Sequence, residues 1–170
     1  MSETRLPRSI FFAIIALALA QAIYNFPLLP ETVASHFNAS GVATGWMPKQ
    51  AFFAVYAVMV LVACFVQFFV PFSIANLPNA RVNLPHKDYW LAPAEREATM
   101  AYFKKSFAWF ACALLLFEVL AMGLAIQANF NSPPQVPAVY MLTLVGAFLL
   151  YTIVWVILMV RHFSTVPPSV

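Results

Sequence analysis

Charge is what this sequence has least of. Only 9% of its 170 residues are Asp, Glu, Lys or Arg, against about 25% in a soluble domain. Hydrophobic residues make up 63%, and the mean hydropathy is +0.82. A soluble globular class is excluded on that balance alone. Glycine is scarce as well, with four residues against thirteen prolines, so proline does most of the punctuating. The two cysteines, Cys64 and Cys112, both fall in apolar runs. Counted along the spans they differ in depth by about six residues, or roughly 9 Å of helix rise. That is beyond the reach of a disulfide, so both are expected to be buried thiols. None of the three histidines, His36, His86 and His162, lies inside an apolar run. A membrane haem therefore has no axial pair. There is no phosphate-binding glycine loop, HExxH, G-x-S-x-G or CxxC pattern, and no nucleophile–base pair is visible. The expectation is a protein that is not an enzyme and holds no cofactor or metal.

What is there is a set of four long apolar runs, at about 9–29, 51–74, 106–127 and 138–160. Each is long enough to cross a bilayer as a helix. The first also has a signal-peptide-like core from Ile10 to Ile23, with Ala18-Leu19-Ala20 as a mock cleavage site. Apolar character resumes at Phe26, Leu28 and Leu29, so an uncleaved span is expected. Pro48 suits the first turn of the second span. Pro71 is expected to kink or end it. Pro93 starts a helix with Glu95 and Glu97 in its first turns and Lys104 and Lys105 at the membrane edge, running into the third span. Residues 129–137 form a proline turn. Arg161 and His162 stop the fourth span, leaving a loose tail to Val170.

Basic residues set the orientation. Arg5, Arg8, Arg81, Lys87, Arg96, Lys104, Lys105 and Arg161 fall on one side of a four-span layout, and only Lys49 falls on the other. Positive-inside logic places both termini in the cytoplasm. The same placement explains the pI of about 9.0 without a nucleic-acid partner. The fold expected is all-α: one membrane domain over 1–170, a four-transmembrane-helix antiparallel bundle with an ordered outer cap at 30–47. The cytoplasmic loop at 76–105 is expected on the membrane surface, with Tyr89 and Trp90 at headgroup level. Phenylalanine doublets such as Phe11-Phe12, Phe52-Phe53 and Phe68-Phe69 point to two faces at once. They suit a chain packed against a membrane partner or a second copy, and lipid contact explains them equally.

The cap, YNFPLLPETVASHFNASGVATGW from Tyr24 to Trp46, reads as a compact unit. Pro30 opens a helix of one to two turns through about Asn38, with Glu31 in its first turn. Val33 and Phe37, four apart, then share a face that rests on the membrane. Gly41 suits the left-handed residue that closes such a helix. Gly45 allows a further turn, and Trp46 anchors the return to the membrane.

The matching positions Leu29, Pro30, Val33, His36, Phe37, Asn38, Gly41, Gly45 and Trp46 form an LPxxVxxHFNxxGxxxGW motif. It resembles the hallmark of a bacterial membrane family of unknown function, and a similar motif occurs at the N-terminal end of SdpI-type bacteriocin-immunity proteins. The stretch NLPHKDYWLAP, from Asn83 to Pro93, is also similar to members of the unknown family. The resemblance implies a bacterial inner-membrane location and, on the SdpI side, an immunity or signalling receptor whose cap meets an extracytoplasmic toxin or ligand.

Two sets of residues carry candidate chemistry. His36, with Asn38 and Trp46, is a candidate contact for a ligand or partner on the cap. A histidine there could also bind a metal or sense pH, but no metal-ligand spacing accompanies it. Glu118 lies near the centre of the third span, where a charge costs at least about 2.5–3.5 kcal/mol. Such a carboxyl is expected to be protonated or hydrogen-bonded. Tyr151 and Thr152, within roughly one helical turn of its depth, are its expected partners. A proton or ligand site and a structural hydrogen bond between helices both stay open. The leading functional expectation is an accessory subunit or binding partner in a larger membrane complex. An SdpI-like receptor and a small ion-coupled transporter using Glu118 are the alternatives, the last without an inverted repeat to support it.

Overall fold

The computed structural model describes residues 4–166; of the expected loose tail, Phe163 and Ser164 are instead helical with Phe163 buried, and residues 167–170 lie outside the described residues. Five α-helical segments, a 3-10 turn at Asn79–Arg81 and one hairpin carry the described residues. Helix α1 is Arg5–Asn25; strands β1, Thr32–Phe37, and β2, Ala43–Pro48, follow. Helix α2 runs over Lys49–Asn76, the short α3 over Lys87–Trp90, α4 over Arg96–Ala128 and α5 over Ala138–Ser164. Helices α1, α2, α4 and α5 are each long and apolar enough to cross a membrane.

Helix α4 is the hub. Pro7 O accepts from Cys112 Sγ at 3.1 Å, and Gln21 Nε2 donates to Val119 O at 3.4 Å. These pairs advance together, so α1 and α4 run in the same direction. Tyr56 meets Gln21 and Phe68 meets Phe11, so α2 runs opposite to α1. On the other flank, α5 descends along α4 through Phe117–Phe148, Phe110–Trp155 and Tyr102–His162. The core of Phe11, Ile14, Phe52, Ala111, Leu115, Val119 and Ile126 lies among α1, α2 and α4. Helix α5 stays outside it: none of its most apolar stretch is buried.

Pro71 does not end α2. The turn before it, Phe65–Phe69, widens to π-helix, and the Val70 N–H reaches back five residues to Phe65 O. A proline offers no N–H and its ring crowds the carbonyl four residues back. One wide turn absorbs both effects, and the helix continues to Asn76.

The expected surface loop is instead a folded lobe. Trp90 is buried, and its indole N–H donates to Phe163 O at 3.0 Å. Thr99 Oγ1 donates to Trp90 O at 2.8 Å. Val82, Leu91, Met100, Phe103 and Phe163 close a second core around it. Arg96 ties the lobe to α2, donating to Ala75 O at 3.0 Å and Leu77 O at 3.3 Å. Those are carbonyls left over at a helix end, which a guanidinium satisfies well.

Candidate functional site

The cap is where the sequence reading of local structure fails. Residues 30–38 are not a helix, and the fold is therefore not purely α. Thr32–Phe37 and Ala43–Pro48 form an antiparallel hairpin, with Val33 opposite Met47 and His36 opposite Gly45. The turn explains the choice. Asn38 Oδ1 accepts from both Ser40 N and Val42 N at 3.0 Å, and the Gly41 N–H donates to Asn38 O at 2.8 Å. This is an asparagine folding the chain back on itself. Gly41 does take the expected left-handed conformation, at φ +80°, but in a hairpin loop. A Cβ there would strike the Val136 carbonyl, whose N–H in turn donates to Gly41 O at 2.9 Å. Val33 is fully buried against the helices, and does not share a lipid-facing helical stripe with Phe37.

Three ties hold the hairpin down. Asn129, in the turn after α4, behaves like a missing strand. Its Oδ1 accepts from Ala34 N at 2.7 Å and its Nδ2 donates to Ala34 O at 2.9 Å, both buried. The loop before α5 pairs with the hairpin tip, Val42 opposite Gln135. At the base, Lys49 Nζ sits 3.0 Å from Glu31 Oε1, donates to Leu29 O at 3.4 Å and lies 5.2 Å above the Phe26 ring. Glu31 thus serves an ion pair, not a helix N-terminus. Hydrogen bonds from Lys49 and then Gln50, followed by the Lys49 charge, hold its carboxyl below the ordinary range.

The three cap candidates separate by role. Asn38 is spent on the turn. Trp46 is 54% exposed on β2. His36 is exposed, its Nδ1 is 3.0 Å from Ser35 Oγ, and its ring lies over Gly45. A Cβ at Gly45 would approach His36 Nδ1 to 3.0 Å, so the glycine makes room for the imidazole. The register shifts between Ala34 and Phe37 place His36 there. It borders an apolar cavity of about 310 Å³ under the hairpin, walled by Phe37, Met47, Phe52, Met59, Met122 and Met141. No group of three or more His, Cys, Asp or Glu side chains able to hold a metal occurs among the described residues.

Glu118 is 4% exposed, and its Oε2 has no hydrogen-bond partner among the described residues. The expected partners do not meet it. Thr152 Oγ1 donates to Phe148 O of its own helix at 2.9 Å, and Tyr151 stacks on Phe110. A helical turn of depth is not enough when the side chain faces another way: the groups close to Glu118 lie on α2, not on α5. Its electrostatic neighbours are Tyr56 and Cys64 on α2. Tyr56 is buried, and its hydroxyl donates to Gln21 Oε1 at 2.8 Å. Asn25 Nδ2 donates to Gln21 O at 2.7 Å. Gln21, Asn25, Tyr56 and Asn129 were missed as polar interior residues. The available signal was Gln21 and Asn25 four apart in an otherwise apolar run, one helical face bearing two amides. The second orphan, Gln67 Oε1, lies in the π turn of α2.

Searches against curated proteins and solved structures return no match. Residues 13–60 match a family described as Domain of unknown function (DUF1648), and this segment takes in most of α1, the whole hairpin and the first turns of α2.

Proposed function

We propose that the chain is a non-enzymatic protein of the bacterial inner membrane that acts as an accessory subunit or binding partner within a larger membrane complex. Both termini are cytoplasmic and the hairpin lies on the extracytoplasmic face. The observation that carries this reading is the anchoring of the hairpin by Asn129, Val136 and Lys49, with Thr44, Trp46 and His36 left exposed. A recognition surface held rigid before contact loses little entropy on binding. The orientation is supported by the eight basic residues gathered on one side. The apolar flank of α5, unburied in the single chain, is suited to lipid and to a neighbouring helix alike.

A second reading is favoured by one observation. His36, Asn38, Gly41 and Gly45, the motif residues shared with SdpI-type proteins, all fall in the hairpin and its turn. On that reading the hairpin is a receptor for an extracytoplasmic toxin or ligand. Affinity purification of the full chain in mild detergent separates the two. Stoichiometric recovery of a larger membrane protein is expected. A lone monomer or small homo-oligomer overturns the accessory reading in favour of the receptor.

A further inference from the structure

We propose that the cavity under the hairpin binds an uncharged amphiphile drawn from the membrane, a molecule with a hydrocarbon body and a hydroxyl end. The cavity encloses about 310 Å³, within the range of small-molecule sites. Helix α4 supplies its floor with Phe117 and Ala121, four apart on one face. Helix α2 supplies one wall with Phe52 and Met59, and α5 the other with Met141 and Val145. Both wall helices pack on α4, and the hairpin closes the end nearest to it.

The lining selects the chemistry. No Asp, Glu, Lys or Arg contributes to it, so a charged ligand would lose its hydration without gaining a counter-charge. Polar side chains enter only from the hairpin, as Ser35 and His36. His36 Nδ1 is engaged by Ser35 Oγ at 3.0 Å, which leaves Nε2 for a ligand. That nitrogen donates in one tautomer and accepts in the other, and a hydroxyl serves either. Four of the chain's seven methionines, Met47, Met59, Met122 and Met141, reach the cavity from four different elements. Unbranched thioethers adapt to the shape they meet, so the site should select on polarity more than on outline.

Entry is from the lipid. Val55 and Val145, which line the cavity from α2 and α5, are 48% and 40% exposed, on helices apolar enough to cross a membrane. The cavity is therefore open toward hydrocarbon on its apolar side and polar at its hairpin end. An amphiphile in it sets its chain against methionine and phenylalanine and its hydroxyl beside His36. The inference rests on the membrane placement proposed above and not on the partner reading, so failure to capture a partner leaves it standing.

The test is photolabelling of the full chain in phosphatidylcholine nanodiscs with a diazirine-bearing octanol, the labelled residues being mapped by mass spectrometry. Saturable labelling of the cavity residues is expected, displaced by octanol and several-fold less well by octane or octanoate at equal concentration in the bilayer. Ala121→Phe, which fills the floor, should abolish the saturable labelling. His36→Ala, on the exposed hairpin, should raise the half-saturating concentration by roughly three- to tenfold, the loss of one neutral hydrogen bond, and keeps the test open if the phenylalanine variant misfolds. Non-saturable labelling of outward residues of α5, such as Leu150 and Ile153, tests the membrane placement separately, and its absence overturns that placement and the proposal with it. Non-saturable labelling at the cavity as well marks ordinary lipid contact and overturns the site. Equal displacement by octane or octanoate overturns it too, as do titrations unchanged in the folded variants.

Discussion

At the scale of single residues, Gly45 and His36 form a unit. Gly45→Ala places a methyl 3.0 Å from the imidazole Nδ1 and 3.1 Å from the His36 Cβ, and should cost about 1 kcal/mol. In a His36→Ala background only the Cβ contact survives, so the cost should fall by roughly half. A double-mutant cycle by thermal unfolding in detergent reads the coupling; simple additivity would show that ring and glycine are independent. Glu31 gives a pH prediction. Its folded value is lowered from about 4.5, so its contribution is present above the unfolded value and is lost as pH falls through the lower folded one. Protection factors of residues 31–49, corrected for the intrinsic pH dependence of exchange, should fall across that acid window, modestly and less in high salt, because the carboxyl is exposed. Glu31→Gln should remove this part of the pH dependence. Glu118→Gln should leave stability within about 0.5 kcal/mol, since Glu118 Oε2 has no hydrogen bond to lose among the described residues and the amide has nearly the carboxyl's shape. A large loss in thermal unfolding would show that the carboxyl makes an interaction the amide cannot replace. The candidate residues themselves were legible as outliers: a carboxyl in a span, a histidine in a cap. Their partners were not, because facing direction depends on how helices pack around α4.

At the scale of elements, the helices follow from apolar runs, and the hairpin does not. Pro30, Glu31 and the Val33–Phe37 spacing all fit a helix start, yet the segment is β. What decides is non-local. Asn129, over ninety residues away, supplies Ala34 with both a donor and an acceptor. The turn signal, Asn38 followed three residues later by Gly41, was present and is what a closer reading of turn chemistry would have used. Asn129→Leu should leave two buried backbone groups unpaired, at a cost of about 2–4 kcal/mol. Hydrogen exchange should show the hairpin amides opening well before those of α4. Equal protection in the variant would show that the tip and base contacts suffice to hold the hairpin. Arg96 is a second case. Its charge counts toward orientation, and its guanidinium also closes the end of α2, a role that only the fold reveals.

At the scale of the whole molecule, orientation is the open physical prediction. Reporter fusions at Val170 should give activity with a cytoplasmic reporter and none with a strictly extracytoplasmic one; the reverse result would invert the positive-inside assignment. Composition and run length by themselves determined the membrane class and the presence of four helices able to span, because 20 or so consecutive apolar residues have few other stable homes. The punctuation of the cap likewise placed a left-handed glycine at position 41. Tertiary structure decided the rest. It made α4 the hub with α5 on its outer flank, turned Glu118 toward Tyr56 instead of Tyr151, folded the inner segment around Trp90 and made the cap a hairpin. Each of these depends on contacts between residues far apart in the chain, and hydropathy, which scores a residue with its sequence neighbours, carries no information about which faces will meet.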